Sequence, residues 1–459
     1  MGIHQVIRIF IFLVLLAGIS RPQMVPYGLM GYKITSLSVS ENLAGPSHLL
    51  VAGTEENGVL GREMHFADSA WFSLGLEDKG ISSVFVQTVG SGPADYYQLY
   101  AAIKPDSLKS GMIYTKSFLL NDADWINIDS GLVAKDEQSV RNICGFHFSG
   151  HEPPAAVFCH LDDTIYRAYP LRNVRWDSLA RYYGLQTLKS FPHGLLWGGG
   201  STVFFAPFLI HSADNGNNWD PFSPDLGDDG GDNTCFSIAI DPQHPDTVYA
   251  GLIDHVIKSV DGGKIWQVTG LKDKEVIFYA VAVNALVPSH VMAGGANAQN
   301  KLALFESFDG GESWMEVFDL STIPSKQAHV TSIAGQLVED NYVFFIGTYG
   351  DGIYTRAYPI TDVGDAAVTN TPNRFVLYQN YPNPFNALTT VTFELSQATY
   401  VELSVYNISG QRVATLMTDK RNGGKHRVFW NASALNSGVY MIHLQTEKYN
   451  QTIKSILLK

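Results

Sequence analysis

Three copies of one eight-residue pattern constrain the fold of this chain more than any other feature. Each copy has the form Ser-x-Asp-x-Gly-x-x-Trp, where x is any residue, and the serines are 47 and then 48 residues apart. A fixed period of this length is typical of proteins built from repeated small β-sheets. The defining residues are Ser212, Asp214, Gly216 and Trp219; Ser259, Asp261, Gly263 and Trp266; and Ser307, Asp309, Gly311 and Trp314.

Weaker equivalents extend the repeat in both directions. Runs such as residues 112–115 and 164–167 occupy the place of the serine, and Trp71, Trp125 and Trp176 occupy the place of the tryptophan. The result is seven units of about 45–52 residues, each long enough for four short strands. We therefore predict an all-β chain in which residues 34–358 form a seven-bladed β-propeller. Helical periodicity is absent, and residues 174–185 are the best candidate for a helical turn.

The chemistry of the pattern favours a structural role. An aspartate in a tight turn accepts hydrogen bonds from backbone amides, and a glycine permits the positive φ that the turn requires. A tryptophan at the start of the next strand buries a large apolar area. Catalysis or metal binding by the three aspartates is the alternative, and we favour a turn that repeats because the sheet repeats.

The pattern resembles the Asp-box (BNR) repeat of sialidases, sortilin-type receptors, xyloglucan-degrading glycosidases and photosystem II stability factors. These families share propeller folds and differ in function. The resemblance implies a propeller over about residues 34–358. It does not imply one activity, because the boxes of those families lie away from their active centres.

The first twenty residues are typical of a signal peptide. Arg8 precedes an unbroken apolar run at residues 9–16, and small residues at Gly18 and Ser20 predict cleavage after Ser20. The run is too short to span a bilayer stably, and no later stretch is long enough. We expect an exported mature chain without a transmembrane segment. The net charge of −13 and the lack of a basic cluster argue against nucleic acid as a partner.

The composition changes after residue 358. Residues 359–374 are predicted to be a linker, and residues 375–459 contain about seven short strand-like runs separated by Gly/Asn turns. This pattern predicts a small Ig-like β-sandwich.

Several motifs in this C-terminal segment resemble the type A C-terminal sorting domain of the type IX secretion system. The most specific is Tyr381, Pro382, Asn383, Pro384, Phe385 and Asn386, and others are residues 405–412, 430–433 and 437–440. The resemblance implies the type IX machinery as a partner and export across the outer membrane of a Gram-negative bacterium. The chain would then be secreted or held at the cell surface, frequently after removal of this domain.

Two cysteines lie in apparent strands joined by a turn. Pairing these strands about residues 151–152 places Cys144 opposite Cys159, within reach of a disulfide bond. Two packed free thiols are the alternative. Cys235 has no partner and is expected to be a buried small apolar residue.

An acidic loop follows Trp219. It contains Asp225, Asp228, Asp229 and Asp232. Hard oxygen ligands of this kind suit Ca²⁺, although the spacing does not match an EF-hand. A pair of glycosidase carboxylates and a solvated flexible loop are the other two interpretations. No cofactor is required by any motif, and Ca²⁺ is the one ion that the sequence suggests.

These observations favour a binding protein over an enzyme. The sequence lacks the Arg-Ile-Pro motif of sialidases and the common nucleophile and metalloprotease motifs. We predict an exported, non-catalytic module that binds a glycan or a protein on the propeller face opposite the Asp-boxes. The alternative is a polysaccharide hydrolase with carboxylates on that face.

Overall fold

The structure is a computed structural model. It describes residues 23–40, 49–64, 69–89, 96–105, 112–118, 124–132, 140–146, 156–169, 175–191, 194–203, 206–224, 226, 233–272, 275–317, 328–338, 341–359, 376–377, 380, 385, 388–395, 399–421, 424–432, 435–446 and 449–458. The predicted signal peptide and nearly all of the predicted linker lie outside these residues.

The chain divides into two compact units between Tyr358 and Pro359. In the described residues both units consist of antiparallel β-sheets, and α-helices are absent. It follows that no helix in the described part of the chain is long and apolar enough to cross a membrane.

The described residues of the first unit contain 28 strands in seven four-stranded sheets. The N-terminal strand is β1 (Val25–Gly28). Sheet 1 contains β2 (Ile34–Val39), β3 (Leu49–Thr54), β4 (Val59–Glu63) and β5 (Phe72–Gly75). Sheet 2 contains β6 (Ile81–Val89), β7 (Tyr96–Ile103), β8 (Ile113–Phe118) and β9 (Ile126–Asn127). Sheet 3 contains β10 (Val140–Phe146), β11 (Ala156–Leu161), β12 (Thr164–Ala168) and β13 (Asp177–Arg181). Sheet 4 contains β14 (Leu185–Phe191), β15 (Leu195–Ser201), β16 (Pro207–Ser212) and β17 (Asp220–Phe222). Sheet 5 contains β18 (Ser237–Ile240), β19 (Val248–Gly251), β20 (Val256–Ser259) and β21 (Gln267–Val268). Sheet 6 contains β22 (Val276–Val283), β23 (Val291–Asn297), β24 (Leu302–Ser307) and β25 (Met315–Glu316). Sheet 7 contains β26 (Val330–Val338), β27 (Asn341–Thr348), β28 (Gly352–Pro359) and β1.

The sheets are arranged in a cycle. The first strand of each sheet contacts the first strand of the next, and β26 of sheet 7 contacts β2 of sheet 1. Seven apolar clusters of described residues fill the seams, each formed by two successive sheets, and the last joins sheet 7 to sheet 1. A sheet covered on both faces reads as a continuous buried run, as β3 and β11 do. The arrangement is propeller-like.

Sheet 7 is built from both ends of the unit. Its fourth strand is the N-terminal β1, which pairs antiparallel with β28 through Val25–Thr355 and Pro26–Tyr354. Met24, directly before β1, is 2% exposed and packs in the apolar seam between sheets 6 and 7. The first and last described strands of the unit thus close the cycle together.

The helical turn expected within residues 174–185 is wrong. Residues 177–181 form β13, the fourth strand of sheet 3.

The predicted pairing of Cys144 with Cys159 is also wrong. Cys144 lies opposite Phe158, and Cys159 lies opposite Ile143, one residue away from the predicted register. A slip of one residue moves a side chain to the other face of a sheet. Cys144 therefore packs toward sheet 4 and Cys159 toward sheet 2, and both are buried free thiols, as is Cys235.

The second unit has two antiparallel sheets over one core in its described residues. Its strands are β29 (Val376–Leu377), β30 (Leu388–Leu395), β31 (Thr399–Asn407), β32 (Arg412–Arg421), β33 (Gly424–Asn431), β34 (Gly438–Thr446) and β35 (Asn450–Leu457). The sheet orders are β29-β30-β33 and β32-β31-β34-β35. Both sheets supply the core, for example Phe393 and Trp430 from one and Leu403 and Ile442 from the other.

Candidate binding surface

The three copies of the Ser-x-Asp-x-Gly-x-x-Trp pattern, called Asp-box turns below after the repeat that they resemble, have the same hydrogen-bond geometry. In the second copy, Ser259 Oγ donates to Asp261 Oδ1 at 2.8 Å and accepts from the backbone amide of Gly263 at 2.9 Å. Asp261 Oδ1 also accepts from the amide of Ile265 at 3.0 Å, and Trp266 Nε1 donates to the carbonyl of Gly263 at 2.9 Å. The corresponding distances in the copies at Ser212, Asp214, Gly216 and Trp219 and at Ser307, Asp309, Gly311 and Trp314 lie between 2.8 and 3.0 Å.

Each box carboxylate accepts hydrogen bonds from the backbone of its own turn. The hydrogen bond from the Ile265 amide, with that from Ser259, lowers the pKa of Asp261, and the Asn218 amide lowers the pKa of Asp214 in the same way. A carboxylate that accepts backbone hydrogen bonds is stabilised in its charged form. Each box turn also donates a backbone hydrogen bond to the loop between the first and second strands of its own sheet. In the second copy the Gly262 amide donates to the Asp246 carbonyl at 2.9 Å.

Six tryptophans occupy one position, immediately before the fourth strand of sheets 1 to 6. The three box tryptophans donate to their own turns. Trp71, Trp125 and Trp176 donate instead to a carbonyl at the outer strand of the preceding sheet, those of Tyr27, Leu74 and Ile128 respectively, at 2.7 to 3.2 Å. Sheets without a box are thus joined to the previous sheet by the same residue type. Met24 has this position in sheet 7.

The four aspartates of the acidic loop, Asp225, Asp228, Asp229 and Asp232, lie outside the described residues. Among the described residues no group of acidic, histidine or cysteine side chains could hold a metal ion.

Of the predicted sorting motif at residues 381–386, only Phe385 is described. It is 3% exposed in the core of the second unit, and its amide donates to the Ile456 carbonyl at 2.9 Å.

A second repeated motif, four residues long, lies at or within two residues of the start of the first strand in each sheet. It reads apolar, variable, small, apolar. The seven copies are ITSL at 34–37, ISSV at 81–84, VRNI at 140–143, LQTL at 185–188, CFSI at 235–238, FYAV at 278–281 and VTSI at 330–333. We call it the inner-strand motif. Both apolar positions are buried in every copy. The motif is hard to detect because its fixed element is one small residue between two apolar ones.

The small residue of the motif bonds one sheet to the next. Ser36 Oγ accepts from the amide of Val84 at 3.2 Å, and Ser83 Oγ accepts from the amide of Ile143 at 3.0 Å. Asn142 and Ser332 accept in the same way from Leu188 and Leu37. Ser237 Oγ donates to the Phe278 carbonyl at 2.9 Å. In these five copies the third motif position therefore bonds across a seam.

The second motif position is less buried than the two apolar positions, although Ser82 and Thr331 also donate to carbonyls of the next sheet, those of Val140 at 2.6 Å and Ile34 at 2.8 Å. In five sheets the strand register shifts at this residue and leaves it without a partner in the ladder, which is a β-bulge. We call the seven side chains the mouth ring: Thr35, Ser82, Arg141, Gln186, Phe236, Tyr279 and Thr331. Arg141 is exposed and the others are half-buried. They belong to the starts of the innermost strands, so they surround the end of the cycle opposite the Asp-box turns.

Neighbouring members of the mouth ring contact one another. Arg141 Nη1 donates to Gln186 Oε1. The rings of Phe236 and Tyr279 meet edge to face with centroids 5.5 Å apart. Thr331 Oγ1 donates to the Ile34 carbonyl at 2.8 Å, next to Thr35. These contacts join sheets 3 and 4, sheets 5 and 6, and sheets 7 and 1 at the mouth ring.

Aromatic side chains continue outward from the mouth ring across sheets 5 to 7. Tyr279 lies 5.7 Å from the ring of His329, and His329 stacks on Tyr349 at 5.3 Å with 17° between the planes. We call Phe236, Tyr279, His329 and Tyr349 the aromatic arc. Burial raises the pKa of Tyr279, so its hydroxyl stays protonated at neutral pH. Lys33 Nζ lies 5.7 Å from the Tyr349 centroid at the end of the arc.

Comparison with known proteins identifies the second unit. Residues 379–459 match the family described as the secretion system C-terminal sorting domain. The chain carries a type IX secretion sorting domain. This domain indicates a secreted or surface-targeted protein and a link to the type IX secretion machinery. No curated protein is significantly similar to the whole chain.

Similar solved structures include PorZ, an essential bacterial surface component of the type IX secretion system of Porphyromonas gingivalis. The identity is 15% with a TM-score of 0.36, over 92% of this chain and 65% of PorZ. An ancestral GH74 enzyme is 14% identical with a TM-score of 0.49, over 73% of this chain and 51% of the enzyme. Raptor of Chaetomium thermophilum is 11% identical with a TM-score of 0.49, over 74% of this chain and 29% of Raptor. The chain thus spans less than two thirds of each of these proteins.

Proposed function

We propose that the first unit is a seven-bladed Asp-box β-propeller acting as a non-catalytic binding module, and that the second unit is an Ig-like sandwich that directs it through type IX secretion. The cyclic seams and the three identical box turns support the propeller. The family match of residues 379–459 supports the route. The module would act in the secreted fraction or on the outer surface of a Gram-negative cell.

The aromatic arc is the observation that carries the binding role. A half-buried aromatic ring that keeps one face open offers a flat apolar platform with a polar edge. The apolar face of a sugar ring, or an aromatic or proline side chain of a protein, fits such a platform. The arc lies at the mouth of the cycle, where loops and inner strands of several sheets meet, and rigid scaffolds commonly present binding residues at such places. We propose a glycan as the first ligand class to test and a protein as the second.

The experiment compares two variants on the full mature chain. Tyr279→Ala removes the arc residue in the mouth ring. Tyr183→Ala removes a tyrosine that is 65% exposed beside the outer strand of sheet 3 and serves as the matched control. A printed glycan array finds ligands, and isothermal titration calorimetry measures each variant. We expect Tyr279→Ala to weaken binding at least about fivefold, since stacked aromatic contacts contribute about 1 kcal/mol or more, with no effect of Tyr183→Ala.

Two results would overturn the proposal. Equal binding by both variants would move the site away from the aromatic arc. Release of reducing sugar from a bound polymer, abolished by Asp229→Asn or Asp232→Asn, would replace the binding module with a hydrolase. Melting with and without a chelator tests Ca²⁺ separately, and a lower melting temperature in the chelator is the result expected of a calcium site.

A further inference from the structure

The cation of the mouth ring, Arg141, has no acidic partner among the described residues. Lys33 is paired with Glu56 at 2.8 Å, and Lys104 is paired with Glu55. Arg141 is exposed and, among the described residues, its side chain is hydrogen-bonded only to the neutral amide of Gln186. A surface guanidinium held by an amide keeps its full charge and most of its donors for a ligand.

The structure beneath Arg141 fixes the backbone that carries it. Asn142 Oδ1 accepts from the Leu188 amide of sheet 4 and lies 2.9 Å from Nε2 of the buried His160. Burial, with the nearby Arg141 charge, lowers the pKa of His160 to about 4, so it adds no second positive charge at neutral pH. The nearby carboxylate of Asp163 accepts from the Gly184 amide at 2.9 Å. Arg141 is therefore the one charged side chain among the seven members of the mouth ring.

Arg141 belongs to the same mouth ring as Phe236 and Tyr279 of the aromatic arc. Arg141, Gln186, Phe236 and Tyr279 are consecutive members of the ring, contributed by sheets 3, 4, 5 and 6. The first two present guanidinium and amide donors, and the last two present aromatic rings. A ligand lying across these four sheets would meet a charged hydrogen-bonding end and an apolar stacking end.

We propose that the mouth ring binds a glycan bearing an anionic group, with Arg141 and Gln186 on the acid group and Phe236 and Tyr279 on a sugar ring. The proposal rests on the proposed binding function and adds the ligand class to it. A guanidinium matches a planar carboxylate with two parallel hydrogen bonds, and it also binds sulfate. The overall charge of −13 does not prevent this, because charges more than about 8–10 Å away are largely screened at physiological salt.

The test uses two pairs of polymers that differ only in charge. Polygalacturonate is compared with its fully methyl-esterified form, and dextran sulfate with dextran, on the full mature chain in physiological salt. The variants are Arg141→Gln, Arg141→Lys and the control Arg181→Gln, which removes an exposed arginine beside Tyr183 on the outer strand of sheet 3. Arg141→Lys keeps the positive charge and loses the bidentate hydrogen bonding of a guanidinium to an acid group. The two pairs distinguish a carboxylate from a sulfate ligand.

We expect binding to at least one charged polymer, and at least about tenfold weaker binding to its uncharged partner and to Arg141→Gln. Arg141→Lys should fall between the parent and Arg141→Gln, and Arg181→Gln should match the parent. Equal affinity for charged and uncharged partners, no binding to either charged polymer, or equal effects of the two Arg→Gln changes would overturn the proposal. Neutral-glycan binding that Tyr279→Ala abolishes and Arg141→Gln leaves intact would refute the anionic ligand and retain the binding module.

Discussion

The seam between sheets 6 and 7 depends on a buried ion pair, and its removal is the most informative stability test. The inner-strand motif of sheet 6 has Ala280 where other copies have a small polar residue, so it cannot make that bond to sheet 7. Glu306 on β24 instead accepts from Arg356 Nε and Nη2 on β28, both at 2.9 Å. Glu306 and Arg356 side chains are 3% and 4% exposed. Tyr358 donates a further hydrogen bond to Glu306.

Glu306→Gln keeps the shape of the side chain and removes its charge. Arg356 remains protonated in the buried site after this change, because an arginine guanidinium does not lose its proton in proteins. An uncompensated buried charge costs about 3–5 kcal/mol. At roughly 2 °C per kcal/mol for a large domain, the melting temperature of the first unit should fall by about 6–10 °C.

The assay is thermal unfolding with a control that has the same chemistry at the surface. Glu402→Gln removes an ion pair with Arg412 in which both side chains are more than a third exposed, and it should change little. The double variant Glu306→Gln/Arg356→Gln should lose less stability than the sum of its single variants, because each single change leaves one buried charge unpaired and the double change leaves none. A fall of less than about 2 °C for Glu306→Gln, or additive losses in the double variant, would refute the reasoning.

Three further predictions concern the same unit. Ser259→Ala leaves the buried amide of Gly263 without its acceptor and should cost about 1–3 kcal/mol, measured by chemical denaturation; a neutral change would show that the box hydroxyl does not support the turn. His160 has a folded pKa of about 4, below its unfolded value of about 6.5, so the unfolded chain binds more protons between these values. Stability should therefore decline as pH falls from about 6.5 to 4, and His160→Gln should decline less over that window; parallel pH curves would contradict this. All three cysteines are buried thiols with raised pKa values, so iodoacetamide should modify none in the native chain and three after denaturation without reductant; modification of only one would indicate a disulfide.

The sequence predicted those features of this chain that need particular residue types at fixed spacing. The Asp-boxes stand out because a turn needs particular residue types at fixed spacing, and the sorting motif stands out for the same reason. The inner-strand motif escaped because its small residue is serine, asparagine, threonine or alanine, and any of these is common between apolar residues. The cysteine register failed because a hairpin's centre cannot be placed to one residue from turn composition, and one residue decides the face.

The Asp-box turns and the inner-strand motif differ in how many of their side chains are already used in contacts within the fold. Every position that defines an Asp-box is used inside its own turn, by a hydroxyl, a carboxylate, an amide or an indole. In the inner-strand motif, the apolar residues fill the seams and the small residue bridges them in five copies, so three of the four positions serve the fold. In five sheets a bulge releases the second position from the strand ladder, and the seven side chains at this position range from threonine to arginine and tyrosine. Variation at one position, on a frame that fixes its neighbours, is what a binding surface requires, and this is why the proposed recognition site is the mouth ring and not the boxes.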